Sequence, residues 1–175
     1  MNTEKLKNAV RNVPDFPIPG IQFKDVTTLF VEPDILNELS EGLYEMYKDK
    51  GVTKVVGIES RGFIMGPMLA HDLKAGFVPI RKPGKLPAET YEISYEKEYG
   101  TDAIQIHRDA LNENDVVVLH DDLLATGGTM LAAVELIRKF NPKKIYVNFL
   151  IELNDLKGRE LFDPDIEVTS IIQYD

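Results

Sequence analysis

The chain contains no cysteine and only three histidines among its 175 residues. Disulfides, thiolate nucleophiles and zinc sites built on cysteine are therefore excluded. Cations are scarce relative to carboxylates, giving a formal net charge of -9. That balance argues against a protein that coats nucleic acid, whose affinity rests on many lysine and arginine contacts to phosphate. A phosphorylated ligand would have to find its cations in one local cluster. No run reaches the roughly 18 to 20 apolar residues that cross a bilayer. The N-terminal "MNTEKLKNAVRNVPDF" alternates charge with single apolar residues, unlike a secretory leader. The expectation is a soluble, cytoplasmic protein with no nucleic-acid and no membrane partner. Internal repeats, low-complexity tracts and Pro/Gly/Ser-rich linkers are also missing, so residues 1–175 read as one domain. Two phosphate loops are absent as well: G-x-x-x-x-G-K-[ST] for a nucleoside triphosphate, and G-x-G-x-x-G after a strand for a dinucleotide.

What is present alternates between helix and strand patterns. "EPDILNELSEGLYEMYKDKG" carries Leu36, Leu39, Leu43 and Met46 at helical spacing, with an acidic start and Gly51 as a stop. "KVVGIE", "GFVPIRK", "DVVVLHD" and "KKIYVNFLIE" are short, nearly continuous apolar runs rich in Val and Ile. Strands of a parallel sheet, buried on both faces, have this pattern. Between them, "RGFIMGPMLAHDLKAG" and "TMLAAVELIRKFN" are long enough for crossover helices, the second with Met130, Ala133, Val134 and Ile137 on one face. The fold class expected is α/β, with a central, mostly parallel sheet flanked by helices.

Open α/β sheets bind ligands beyond the carboxyl ends of their strands. The residues there are Glu59-Ser60-Arg61-Gly62, Arg81-Lys82-Pro83-Gly84-Lys85, Asp121-Asp122 through Thr129, and Glu152-Leu153. Residues from Pro83 to about Arg108 differ in character: they are charged and tyrosine-bearing, with alternation in "TYEISYE" and "DAIQIH". They suggest a mobile two-stranded flap over the strand ends rather than core.

The densest chemistry lies in "VVVLHDDLLATGGTM". A strand stopping at Asp121 and Asp122 would offer two carboxylates to vicinal hydroxyls, or to magnesium through water. Ala125, Thr126, Gly127, Gly128 and Thr129 then supply glycines for close backbone approach, N–H groups leading into a helix, and two hydroxyls. Such an arrangement holds phosphate. An Asp-Asp pair alone is commonly a solvated turn, and Thr-Gly-Gly-Thr alone a capped loop. Their adjacency between a strand and a helix describes a sugar phosphate site instead. His120 reads as a satisfied core or interface histidine on the other face of the strand, and His71 and His107 give no active-site signal.

This stretch resembles the phosphoribosyl pyrophosphate signature of type I phosphoribosyltransferases. The likeness, greatest to the adenine-specific members, extends through "DFPIPGIQFKDVTTL", "GIESRGFIMGPMLA", "IRKPGKLPAET", "YEKEYG" and "IELNDLKGRELF", in the expected order. It implies a type I phosphoribosyltransferase fold with a small N-terminal hood over about residues 1–30 and a mobile flap over about 83–108. The implied reaction transfers the 5-phosphoribosyl group from phosphoribosyl pyrophosphate to adenine, forming AMP and pyrophosphate, with Mg2+ as cofactor and a homodimer as the assembly.

By the same resemblance, Glu59 and Ser60, joined by a cis peptide, hold the pyrophosphate with Arg61, Arg81, Lys82 and Lys85. Asp121 and Asp122 take the ribose hydroxyls, and through ribose or water the metal. Glu98 carries the adenine proton and Tyr99 shields the ribose. The extended segment containing Gln22, Phe23 and Lys24 meets the purine edge with backbone groups, while Phe23 and Leu153 pack nearby. Alternatives are a hypoxanthine/guanine or xanthine enzyme, or a non-catalytic regulator sensing the same ligand. A regulator would normally add a DNA-binding domain or a basic face, and the chain shows neither.

Overall fold

The computed structural model describes residues 1–96 and 100–175, and its backbone divides into two compact units, Met1–Met46 and Tyr47–Asp175. In the first, α1 (Thr3–Ala9) is capped by Asn2, whose side chain accepts the Lys5 N–H at 3.1 Å. That contact satisfies one of the donors every helix start leaves open. Strands β1 (Arg11–Pro14) and β2 (Gln22–Asp25) pair antiparallel in the register Arg11↔Asp25 to Pro14↔Gln22. The loop joining them contains a cis Phe16–Pro17 bond. A 3-10 turn over Val26–Phe30, capped by Asp25, leads to α2 (Pro33–Tyr47). The buried stripe of α2 is Ile35, Leu39 and Leu43, with Leu36 and Met46 on its margin.

The second unit runs β3 (Lys54–Ile58), α3 (Gly62–Asp72), β4 (Gly76–Ile80), β5 (Thr90–Glu96), β6 (Thr101–His107), β7 (Val116–Leu124), α4 (Gly128–Arg138), β8 (Lys144–Leu153) and β9 (Glu167–Tyr174). Five strands form one sheet in the order β4-β3-β7-β8-β9, all parallel. Helix α3 covers one face, with Phe63 and Phe77 edge to face at 5.9 Å. Helix α4 covers the other, where Val56, Ile58, Leu119, Phe149, Ala133 and Ile137 belong to one apolar core. Burial on both faces explains why β3, β7 and β8 read as unbroken apolar runs. Chain order reverses between β3 and β7, so a crevice opens at their carboxyl ends.

Two expectations change. The hairpin β5–β6 exists, in the register Thr90↔His107 to Glu96↔Thr101, but its base is core rather than cover. Ile104 and Ile106 are buried within the α4 cluster, and Tyr91 packs edge to face on Phe140 at 5.3 Å. The second is an addition, β9, whose β-branched residues Val168, Thr169, Ile171 and Ile172 suit a strand. As an edge strand it buries only Ile171 and Ile172, and Glu167, Thr169 and Ser170 dilute its apolar pattern.

His120 is wholly buried, and its Nδ1–H donates to Asn148 Oδ1 at 2.8 Å. Asn148 Nδ2 in turn donates to Thr169 Oγ1 at 3.0 Å, and the Tyr47 hydroxyl meets Thr169 Oγ1 at 2.6 Å. A polar ladder thus crosses β7, β8 and β9. Burial, opposed by the Asn148 hydrogen bond, pushes the His120 pKa down to about 4 from 6.5. The unfolded chain binds this proton near its ordinary value, the folded chain only near 4. Stability should therefore fall as pH drops through that window, by roughly 3 kcal/mol for this group. Urea melts at pH 7 and 4 should show the loss, and His120→Leu should flatten the slope while lowering stability at pH 7, because it orphans the Asn148 side-chain carbonyl. An unchanged slope in the variant would place the effect elsewhere.

Candidate active site

The crevice beyond β3 and β7 holds a cavity of about 320 Å³. Its floor comes from Ile58, Ile104 and Phe149, and its polar wall from Glu59, Lys82, Asp121 and residues 125–129. Helix α4 begins at Gly128, and Gly127 before it takes φ +86, the left-handed turn that glycine adopts without cost. First-turn N–H groups of a helix have no intrahelical acceptor. Those of α4 therefore face the cavity beside the Thr126 and Thr129 hydroxyls, at the positive end of the helix dipole.

The strand does not stop at the aspartates. β7 continues through Leu124, with Leu123↔Ile151 and Leu124↔Glu152 still paired to β8. The two carboxyls stay within side-chain hydrogen-bonding reach of each other, but their surroundings differ. Asp121 lines the cavity. Asp122 is almost wholly buried, with its Oδ2 2.6 Å from Arg61 Nε at the start of α3. Burial, then the neighbouring Asp122 charge, holds the Asp121 carboxyl well above the usual carboxylate range. Burial also raises Asp122, and Arg61 opposes the shift.

The peptide Glu59–Ser60 is cis. The Glu59 carboxylate accepts the Lys82 backbone N–H at 2.9 Å and both Arg81 Nε and Nη2, at 3.2 and 3.3 Å. The Lys82 hydrogen bond, followed by those from Arg81, keeps its pKa below the ordinary value. Glu59 therefore organises the basic run at the end of β4. Lys82 Nζ is bonded to Asp102 of β6, and the Lys85 backbone N–H donates to the Lys82 carbonyl at 3.3 Å.

Tyr95, not among the residues expected at the site, lines the cavity from β5, and its hydroxyl accepts from Thr129 Oγ1 at 3.2 Å. The only sequence signal for it was the alternation in "TYEISYE". Gln22, Phe23 and Lys24 form β2 in the first unit. There Gln22 Oε1 accepts from Asn12 Nδ2 at 2.7 Å, Lys24 Nζ donates to Asn12 Oδ1 at 3.0 Å, and Phe23 packs on Phe16. Leu153 ends β8 in the second unit. Glu98 and Tyr99 lie outside the described residues. Among the described residues, no group of three or more His, Asp or Glu could hold a metal ion, and no helix is long and apolar enough to cross a membrane.

Comparison with known proteins is consistent along the whole chain. Residues 26–174 match the phosphoribosyl transferase domain model. The adenine phosphoribosyltransferase of Bacteroides thetaiotaomicron is 69% identical over 172 residues, covering 98% of each chain. The crystal structure of adenine phosphoribosyltransferase from Rhodothermus marinus superposes with a TM-score of 0.91 at 50% identity, covering 98% of each chain. That of Saccharomyces cerevisiae, complexed with an imino-altritol bisphosphate and adenine, gives a TM-score of 0.90 at 38% identity over 97% of this chain and 98% of its own. A glycine-threonine loop at a helix start could serve many phosphates, but with identity of this order over the full length the chain belongs to the adenine phosphoribosyltransferase family.

Proposed function

We propose that the protein transfers the 5-phosphoribosyl group from phosphoribosyl pyrophosphate to adenine, forming AMP and pyrophosphate in purine salvage. The observation that supports this reading is the cavity itself, lined by the Asp121 carboxyl, residues 125–129 and Lys82. The relatives called adenine phosphoribosyltransferases supply the base. The 5′-phosphate sits on the amides of the loop, with the Thr126 and Thr129 hydroxyls as further donors. Asp121 accepts the ribose hydroxyls, while Asp122 holds Arg61 toward the diphosphate. Breaking the C1–oxygen bond moves negative charge onto the leaving group, and Arg61, Arg81, Lys82 and Lys85 are the cations that meet it. Substrate oxygens replace internal partners here: phosphate takes Thr129 from Tyr95, and diphosphate takes Lys82 from Asp102.

Mg2+ suits this site as an ion carried in on the diphosphate. A hard cation favours carboxylate, phosphate and water oxygens, and the aspartate pair offers such oxygens through ribose or water. When bound it would neutralise part of the leaving charge. Water is the competing nucleophile, so the flap over about residues 83–108 serves as the lid. Glu98 is the proton carrier for adenine and Tyr99 the shield of the ribose. Glu98→Gln should lower kcat about a hundredfold with substrate affinities near wild type. Single-turnover chemistry at the wild-type rate would reduce Glu98 to a lid residue.

Adenine is chosen by backbone groups of the extended segment around Gln22 to Lys24, because one such residue presents an N–H and a C=O side by side. Adenine complements them with an acceptor at N1 and a donor at N6, and hypoxanthine and guanine reverse that polarity. Unpaired buried groups can reject the wrong base by about 10⁴. The Gln22 side chain, already engaged by Asn12, is not needed, so Gln22→Ala should keep the adenine preference and Phe23→Ala should weaken activity through lost packing. Equal use of hypoxanthine by Gln22→Ala would put selection in that side chain. The decisive assay supplies purified protein, magnesium and phosphoribosyl pyrophosphate with each purine in turn. Turnover confined to adenine supports the reading, and turnover with guanine or hypoxanthine instead overturns it.

A further inference from the structure

The segment after β8 crosses directly beneath the phosphate loop. A Cβ placed on Gly127 would lie 2.9 Å from the Gly158 carbonyl oxygen and 3.3 Å from Leu161 Cδ1. One placed on Gly158 would collide with the Ala125 carbonyl oxygen and lie 3.2 Å from Gly127 N. The two backbones therefore touch without room for a side chain on either, and the position of residue 158 sets that of the loop. Its own stretch is intrinsically weak: two short 3-10 turns, Asn154–Leu156 and Gly158–Leu161, separated by Lys157 at φ 53. Isolated turns of this length carry little stability, so an external anchor is required.

Arg159 supplies it. Its Nε donates to Glu152 Oε1 at 2.8 Å, its Nη2 to Glu152 Oε2 and, at 3.2 Å, to Ser170 Oγ, and its Nη1 to the Val168 carbonyl. The Glu152 side chain is only 4% exposed and also accepts from Ser170 Oγ at 2.5 Å. Burial would raise this carboxyl, but the hydrogen bonds from Arg159 and Ser170 hold it below its ordinary value. Glu152 pairs with Leu124, the residue immediately before the phosphate loop. The fork therefore ties Gly158 to the same strand pair that delivers the loop. A forked guanidinium makes such a tie directional, whereas an ammonium offers a point charge.

We infer that Arg159 is a positioning residue for the phosphate loop, fixing the Gly158 backbone beneath Ala125–Gly127 through its fork on Glu152. The inference rests on the reading that this loop takes the 5′-phosphate, and it assigns Arg159 no contact with substrate. The test uses the full chain with Arg159→Lys, Arg159→Gln and Gly158→Ala, and with Gly128→Val as the control for the loop. Kinetics, calorimetry with ribose 5-phosphate, and melting curves are measured on each. Misplacing a binding group by about 1 Å can cost on the order of a hundredfold.

Arg159→Gln should raise both KM for phosphoribosyl pyrophosphate and Kd for ribose 5-phosphate about ten- to a hundredfold, with KM for adenine within about twofold. Arg159→Lys keeps Glu152 neutralised, so it should fold, and it should show a smaller rise of the same kind. Gly158→Ala should reproduce the loss with the ion pair intact. Lowered melting temperatures with wild-type phosphate affinity would overturn the inference and leave the pair a plain stabiliser. If Gly128→Val loses ribose 5-phosphate while the Arg159 and Gly158 variants keep it, the inference alone fails. If Gly128→Val also binds normally, the reading of the loop fails and takes the inference with it.

Discussion

Asp121→Asn combined with Asp122→Asn should cut kcat/KM for phosphoribosyl pyrophosphate by about 10² to 10⁴, since hydrogen bonds to a charged group contribute roughly 1.5 to 3 kcal/mol each. The singles should not be equivalent. Asp121 lines the cavity, so its substitution removes an acceptor for the sugar. Asp122 is buried against Arg61, so its substitution frees a cation that the leaving group needs in place. Because the two residues are in contact, with the Asp122 N–H donated to Asp121 Oδ1 at 2.9 Å, the double variant should depart from the sum of the singles.

The pair should also mark the pH profile. Both carboxyls are raised, Asp121 by burial first and then by the charge of Asp122. Ionised carboxylates are the form that accepts hydroxyls, so kcat/KM should fall on the acid side from above the ordinary carboxylate range. Removing the neighbouring charge with Asp122→Asn should move that limb to lower pH. Kinetics of the double variant matching wild type would take both residues out of the site.

Gly128→Val should abolish measurable AMP binding, weakening it by at least about a hundredfold, while leaving the fold intact. Among the described residues outside its own helix turn, a Cβ on Gly128 meets nothing nearer than the Glu96 carbonyl oxygen at 4.0 Å. Gly128 lines the cavity, so the added methyls obstruct the space where the α4 amides would meet phosphate. Gly127→Val is the contrasting variant. At φ +86, with the Gly158 carbonyl 2.9 Å from the new Cβ, it should lose both binding and stability, the latter by about 1 to 3 kcal/mol. Calorimetry with AMP and melting curves separate the two. AMP bound to Gly128→Val at wild-type affinity would mean that the phosphate rests elsewhere.

The features readable along the chain are those in which a local pattern dictates a local conformation. Strands β3, β7 and β8 announced themselves because two-sided burial demands unbroken Val, Ile and Leu, and α2 because Leu36, Leu39, Leu43 and Met46 recur at helical spacing, although the buried stripe proved to run through Ile35 rather than Leu36. The phosphate loop was legible because only glycine takes φ +86 at residue 127 without strain, and because hydroxyls flank it. Family membership followed from motifs in order, none of which needs a coordinate.

Other features depend on which distant residues meet. Asp121 and Asp122 read as a matched pair at a strand's end, but the ladder to β8 carries β7 on to Leu124, and of the two adjoining carboxyls only Asp121 lines the cavity while Asp122 is paired with Arg61. Glu59 and the basic run are neighbours only because β3 and β4 pair in parallel register. Tyr95 reaches Thr129, and Asp102 reaches Lys82, because the hairpin packs on α4 and the end of β4. Gly158 is constrained by Ala125 and Gly127, more than thirty positions away in "ATGG", through a fork on Glu152. Register and packing arise from the simultaneous burial of many side chains, so no window of sequence short enough to show a helix or a strand contains them.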